Sequence, residues 1–488
     1  MIIGGDAFNA SKTPYGRYYV SARLDENALL QRYGSWDRML SRAKHLGRNN
    51  FAVKAAKNVM CDYVVGASGP TPRGGDAEHR KAWARWSRSY CDIQGRRNWA
   101  QILRDIVGTM VEGDILAVLT SDDEAPDNQI QARVQLIDPG RVRTPGDLHY
   151  DADRVFQITE AGNPVIMGVE FSKRGKEIAY WVAPPSQMAD KQSEFVRIPR
   201  YDAGTGRFVS ILLRRPDNDN SVAVRSIPMF SAIMPELEDM ASLADSAIQM
   251  GISRSKLGVL FTTDQPQAVS RALGARMENG EARNGYNSEG EIVNYGLVSD
   301  GAAMTIPGAT GVHPVSHQGN MDIVALMNQV WRHMSAGIDI PLEILMSNFQ
   351  GVNFSSGKLS YDKFYRKVRA WVQSLSLFCS EVYSVVALES DLISVRAPVA
   401  SWSVRWSEPA MPDSDPSKSS SADMRLRDSG LVPSSTIVAQ RSGDDYAEHL
   451  MQIAEDKALE EKILGKEIPT SLVLRGKTAD AEQDVEDL

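Results

Sequence analysis

The feature that most constrains this chain is an order of segments in its second half: a long amphipathic helix, a small polar insertion, a second helix, a polar loop and a very long helix. The stretch MFSAIMPELEDMASLADSAIQMGISRSK, starting at Met229, places Leu237, Met240, Leu243, Ala244, Ala247 and Ile248 on one helical face. Glu236, Glu238, Asp239 and Asp245 fall on the other. Apolar residues at three- and four-residue intervals opposite a charged face predict a helix that buries one side. The chain then turns polar and glycine-rich (ENGEARNGYNSEGEIVNYGLVSDGAAMTIPGATG), which predicts a small extended insertion with loops. Helical spacing returns in MDIVALMNQVWRHMSAGI and stops before Pro341. A polar loop, SNFQGVNFSSG, leads into a helix predicted from Lys358 to about Ala387.

The first half reads as one α+β domain over residues 1 to about 225. Residues 1–25 have little pattern and read as an arm, while 26–65 are largely helical in spacing. The run from Gly66 through PTPRGGD ends that segment. A further helical pair carries Trp83, Trp86, Tyr90, Trp99, Leu103 and Ile106 as apolar faces. The segments ILAVLTS, QARVQLIDPGRV, PVIMGVEFS, EIAYWVA and FVRIPRYD follow with strand patterns. After the long helix, SVRAPVASWSVRWSEP is strand-like, 415–464 is helical and polar, and the chain ends in the acidic run DAEQDVEDL.

Composition narrows the function classes. With 488 residues, 42% hydrophobic and 24% charged, the chain can bury a sizeable core. Its formal net charge of -8 argues against a protein that grips nucleic acid by neutralising many phosphates. Contact with DNA would have to be local, transient or repulsive. Cys61, Cys91 and Cys379 are sparse and odd in number, which predicts buried free thiols rather than a disulfide framework or a zinc site. The opening lacks a basic region followed by an apolar run, so no signal peptide is expected, and no membrane span is expected either.

A search for chemistry finds no catalytic constellation, and no cofactor or metal is expected. Gly351 through Lys358 superficially resembles a phosphate-binding loop. Five residues rather than four separate its glycines, Leu359 replaces the hydroxyl that binds magnesium, and IPLEILMSNFQ is no buried strand. His313 and His317 flank Pro314, which disfavours one helical face, and there is no HExxH. Asp444 and Asp445 follow Gly443, where acids at a helix start are expected. The long helix carries Lys358, Lys363, Arg366, Lys367 and Arg369 on its first turns, with Val368, Trp371, Val372, Leu375 and Phe378 as a core face. Such a stripe is either a solvated charged face or a set of weak phosphate contacts.

Taken together, the sequence resembles the lambda-type family of tailed-phage portal proteins, with motifs in order over nearly its whole length. Arg48-Asn49-Asn50 and Val64-Val65-Gly66 resemble the helical opening. Trp83, Trp86, Cys91-Asp92 and Gly95 are similar to the next segment, and Gly113-Asp114 stands where the family usually has Gly-Glu. Asp138-Pro139-Gly140-Arg141-Val142, Gly168-Val169-Glu170 and Tyr180-Trp181-Val182 resemble its strands. Ile340-Pro341 and Asn353-Phe354-Ser355-Ser356-Gly357-Lys358 carry the strongest likeness, followed by Trp406-Ser407-Glu408-Pro409, Asp415-Pro416-Ser417-Lys418 and Gly430-Leu431. Before Ile227-Pro228 the chain departs, with Arg225-Ser226 in place of the usual Gln-x-Arg-Gly.

The resemblance implies an elongated α+β subunit with an α/β wing, a helical stem, a small α/β clip, a long tunnel helix and an α-helical crown. It divides the chain into arm and wing (1–228), first stem helix (229–255), clip (256–320), second stem helix (321–345) and tunnel loop (346–357). The long helix with a return to the wing (358–414), the crown (415–464) and the acidic tail (465–488) complete it. It further implies a dodecameric ring at one capsid vertex of the virion, assembled in the host cytoplasm, that passes double-stranded DNA during packaging and ejection. The implied partners are the terminase large subunit, the major capsid or scaffold protein, and a head-completion or tail adaptor protein. No enzyme activity is expected. On this reading Asn353, Phe354, Ser355, Ser356 and Lys358 lie near the DNA. Lys363, Arg366 and Lys367 would face it, and Glu236, Glu238, Asp239 and Asp245 would keep the stem lumen negative. The competing readings are another head-to-tail connector or scaffold protein, and a DNA-processing enzyme.

Overall fold

The computed structural model describes residues 35–73, 75–126, 128–151, 156–185, 194–217, 223–256, 260–261, 283–286, 292–295, 304–305, 323–348, 354–394, 404–407, 416–441 and 446–464. The arm at 1–25, most of the polar insertion, residues 349–353 and the acidic tail lie outside them. The chain forms two compact units, one of Met1–Ala232 with Ile338–Leu488 and one of Ile233–Gly337.

The first unit opens with helices α1 (Ser35–Asn49) and α2 (Phe51–Val64). One helix becomes two because Asn50 leaves helical geometry at φ -104, ψ 120, and its side chain accepts hydrogen bonds from the Ala52 and Val53 amides. The strand β1 (Pro72–Arg73) leads to α3 (Ala77–Arg88), which is capped by Asp76. Helix α4 (Trp99–Glu112) starts with a capping box between Asn98 and Gln101. Strands β2 (Ile115–Ser121) and β3 (Ala132–Ile137) then pair antiparallel. Together with β10 (Ser210–Leu213) they form a three-stranded sheet in the order β10-β2-β3.

Between β3 and β10 the chain runs up and down through a six-stranded antiparallel sheet: β4 (His149–Asp151), β5 (Phe156–Ile158), β6 (Pro164–Ile166), β7 (Val169–Phe171), β8 (Glu177–Val182) and β9 (Val196–Pro199). The apparent single strand PVIMGVEFS is thus a hairpin. Its turn needs Gly168, which sits at φ +86 and would place a Cβ 2.6 Å from the Arg143 amide nitrogen. Leu116, Val118, Ile137, Val142, Val169, Tyr180 and Leu212 form the core that the two sheets share.

Glu170 is the polar anchor of the six-stranded sheet. Its side chain is 2% exposed. It accepts from Arg197 Nε (2.7 Å) and Nη2 (3.2 Å), Asn163 (2.9 Å) and the Trp181 indole (3.2 Å). Burial pushes this carboxyl up, but the hydrogen bonds from Arg197 and Asn163 outweigh it and hold the group below its ordinary range. A carboxyl whose pKa falls on folding stabilises the protein above its unfolded pKa, and that contribution disappears as pH falls through the folded value. Glu170→Gln is therefore expected to lower the urea midpoint at pH 7. The gap to the wild type is expected to close once the pH is well below the ordinary value of 4.5. An equal gap at both pH values would contradict this.

The second unit contains α5 (Met234–Lys256), strands β11 (Leu260–Phe261), β12 (Arg283–Tyr286), β13 (Ile292–Tyr295) and β14 (Met304–Thr305), and α6 (Ile323–Ile338). β12 and β13 form an antiparallel hairpin, while β11 pairs parallel with β14. Gly337, near the end of α6, would place a Cβ 2.4 Å from Ile233 Cγ2, so a glycine there lets the two helical segments approach closely.

After Pro341 come the short helix α7 (Leu342–Met346) and α8 (Phe354–Ile393). At 40 residues, α8 spans about 60 Å at 1.5 Å per residue. It begins four residues before the expected Lys358, because Phe354 through Gly357 form its first turn. Phe364, Val368, Trp371, Leu375, Phe378, Val382 and Val386 recur at three- and four-residue steps, and all are buried. Leu359–Ile393 is long and apolar enough to cross a membrane by length and composition alone, a test that a core helix also meets. These apolar positions form the face that packs on α2, α3 and β3. Strand β15 (Arg405–Trp406) returns to pair with β1, and Trp406 donates to Ser380 Oγ on α8 (2.8 Å). Helices α9 (Pro416–Asp428), α10 (Ser434–Arg441) and α11 (Tyr446–Leu464) follow.

All three cysteines are buried and free. Burial pushes the Cys61 thiol up to about 11, Cys91 up to about 12, and Cys379 further still. This suits inert core residues.

Candidate functional site

The residues singled out in the sequence divide between two helices. On α5, Met234, Leu237 and Met240 are buried, and Glu236, Glu238, Asp239 and Asp245 are all exposed. The carboxylates therefore form one polar face over the first three turns. The apolar face fades beyond Met240: Leu243 and Ala244 are half-buried and Ile248 is 59% exposed.

On α8, Phe354, Ser355 and Ser356 belong to the first helical turn rather than to a loop, Lys358 follows that turn, and Asn353 lies outside the described residues. Small hydroxyl residues suit a helix start, where amide groups lack intrahelical partners. The element preceding this turn is the helix α7, not a buried strand, so Gly357 and Lys358 do not sit in a phosphate-binding loop.

The cationic stripe splits. Arg366 is exposed. Lys363 is 75% exposed at its side chain and pairs with Asp339 at 2.6 Å. Lys367 is not a surface cation: its side chain is 9% exposed, lies 3.2 Å from the Asp217 carboxylate and donates to the Ile338 carbonyl at 2.8 Å. One helical turn apart, Lys363 and Lys367 thus hold the consecutive residues Asp339 and Ile338, where α6 ends. A cation at a helix C-terminus complements its carbonyl dipoles. Asp339 itself adopts φ +54, which few non-glycine residues do. Lys367 therefore serves this corner instead of reaching toward a passing ligand.

A buried ion pair that the sequence did not foretell joins Asp114, just before β2, to Arg225. Asp114 is 0% and Arg225 1% exposed at the side chain. Arg225 donates from Nε and Nη2 to the two Asp114 oxygens, each at 2.8 Å. Its other donors reach the carbonyls of Val142 (2.8 Å), Met167 (3.0 Å) and Pro139 (3.0 Å). The guanidinium also lies 3.8 Å from the centre of the Trp36 ring. The available signal was that Asp114 and Arg225 are both places where the sequence departs from the portal pattern.

The family described as "Phage portal protein, lambda family" matches residues 21–371. The chain belongs to that family. It is a portal protein, a subunit of the ring at a capsid vertex. The match runs from before α1 to Trp371 in α8, and so takes in both helices that carry the candidate residues. Two solved structures are similar at low identity. One is a chain of the virion of a native gene transfer agent particle, with 10% identity and a TM-score of 0.38, covering 83% of this chain and 93% of that one. The other is from the neck of an empty gene transfer agent particle computed with C6 symmetry, with 12% identity and a TM-score of 0.38, covering 81% and 92%. Portal proteins of this family are structural rather than enzymatic.

Proposed function

We propose that this portal subunit closes into a dodecameric ring whose α5 face, with Glu236, Glu238, Asp239 and Asp245, lines a channel for double-stranded DNA. What carries this reading is the solvent exposure of all four carboxylates on one helix of a family member. In a narrow channel, fixed negative charge lies within about 8 Å of the phosphates, the screening length at physiological salt. Repulsion of this kind keeps the duplex centred and free to slide. Asn353, Ser355 and Ser356 offer weak hydrogen bonds to the backbone without reading sequence, and Lys358, Lys363 and Arg366 supply brief attraction. Lys363 contributes less because Asp339 already offsets its charge.

The insertion at 256–320 docks the terminase large subunit during packaging, and a head-completion or tail adaptor protein afterwards. The major capsid or scaffold protein contacts the ring as it assembles in the host cytoplasm. The subunit performs no catalysis of its own.

Reversing all four carboxylates to lysine tests the channel reading. Rings are expected to form, while DNA packaged per head falls roughly an order of magnitude because cationic walls hold phosphate. Unchanged packaging with normal ring yield would show that α5 does not face the DNA.

A further inference from the structure

The C-terminal helices carry apolar side chains but no core. Among the described residues Ser407 is the last buried one, and none of the side chains described from 417 to 463 is buried. Leu431 and Ile463 are each 73% exposed, Met451 65% and Leu459 56%. Helices of 8 to 19 residues are marginal in water without tertiary packing. Another surface must therefore cover this segment.

Two complementary faces are present. On α9, Ser417, Lys418, Ser421, Ala422, Arg425 and Leu426 line a shallow groove of about 660 Å³. Its small residues admit a helix closely, and its rim is basic. On α11, Met451, Glu455, Leu459 and Ile463 recur every fourth residue as an outward stripe, flanked by Asp456 and Glu460. Within the subunit α11 meets α10, which leaves this stripe facing solvent. An acidic, apolar ridge and a basic, small-residue groove fit each other, and they lie on different helices of one chain. That is the arrangement a head-to-tail ring requires.

We propose that the α11 ridge of one copy seats in the α9 groove of the next, so that residues 416–464 acquire their core only on assembly. The inference rests on the ring reading above. Leu459 and Ile463 cover Ala422 and Leu426, while Asp456 and Glu460 meet Lys418 and Arg425.

The test uses two full-length charge reversals, Lys418→Glu with Arg425→Glu, and Asp456→Lys with Glu460→Lys. Amide exchange over 416–464 and oligomer mass are measured for each alone and for an equimolar mixture. Each alone is expected to lose protection by about tenfold or more relative to wild-type rings, since like charges meet at every contact. The mixture is expected to regain it, because alternating copies restore opposite charges at every contact. A mixture no better protected than its components would overturn the proposal. So would protection that neither variant alters, or protection that appears only when capsid protein is added. Wild-type rings with 416–464 unprotected would sink this contact alone, whereas a wild type that forms no ring would remove the ring reading and this contact with it.

Discussion

Arg225→Met is expected to destabilise the portal subunit by about 3–5 kcal/mol in urea unfolding, the cost of leaving a buried charge without its partner. All five guanidinium donors are used, two on Asp114 and three on carbonyls of Pro139, Val142 and Met167. Methionine fills much of the same space and supplies none of them. Asp114 would be left accepting only from the Ser226 amide (3.1 Å). Arg225→Lys is expected to recover little, because an ammonium lacks the planar fork that meets a carboxylate at two points. Asp114→Leu combined with Arg225→Met is expected to be less destabilised than the sum of the single changes, since it removes both charges together. A loss below about 1 kcal/mol for Arg225→Met would mean that water reaches the site and the pair is not sealed.

Trp83→Ala is expected to have a similar effect, about 3–5 kcal/mol, with loss of the near-ultraviolet aromatic signal. Trp83 is 3% exposed, and its ring contacts four others: Trp86 at 5.1 Å, Trp99 at 5.3 Å, Trp406 at 5.4 Å and Tyr383 at 5.5 Å between centroids. These rings come from α3, α4, β15 and α8. Removing Trp83 thus opens a cavity where four segments distant in sequence are joined, and the neighbouring rings cannot all collapse into it. Phe51→Ala serves as the comparison, since Phe51 is 58% exposed and its loss is expected to cost little. Equal effects from the two would contradict this account of the core.

Periodicity is where the sequence was most legible. ILAVLTS is β2 residue for residue, and the core positions of α8 follow from three- and four-residue spacing. Local chemistry decided what periodicity missed. The Asn50 cap divides one helical stretch, and the left-handed Gly168 folds one apparent strand into a hairpin. The short strand β10 went unread because four residues carry too little pattern. Charged side chains were least legible, because their roles depend on distant partners. Nothing around Lys367 foretells Asp217, nor does anything near Asp114 foretell Arg225. The carboxylates of α5 were easier, because a helical face is a local property.

On this reading, identical subunits close into a ring with a DNA channel. Native mass determination of the purified full-length chain, paired with negative-stain electron microscopy, tests it most directly. The expected result is rings with a central hole and a mass near twelve times 53.7 kDa, in the presence of scaffold protein if not without it. A compact monomer that persists at every concentration and with scaffold protein present would contradict it.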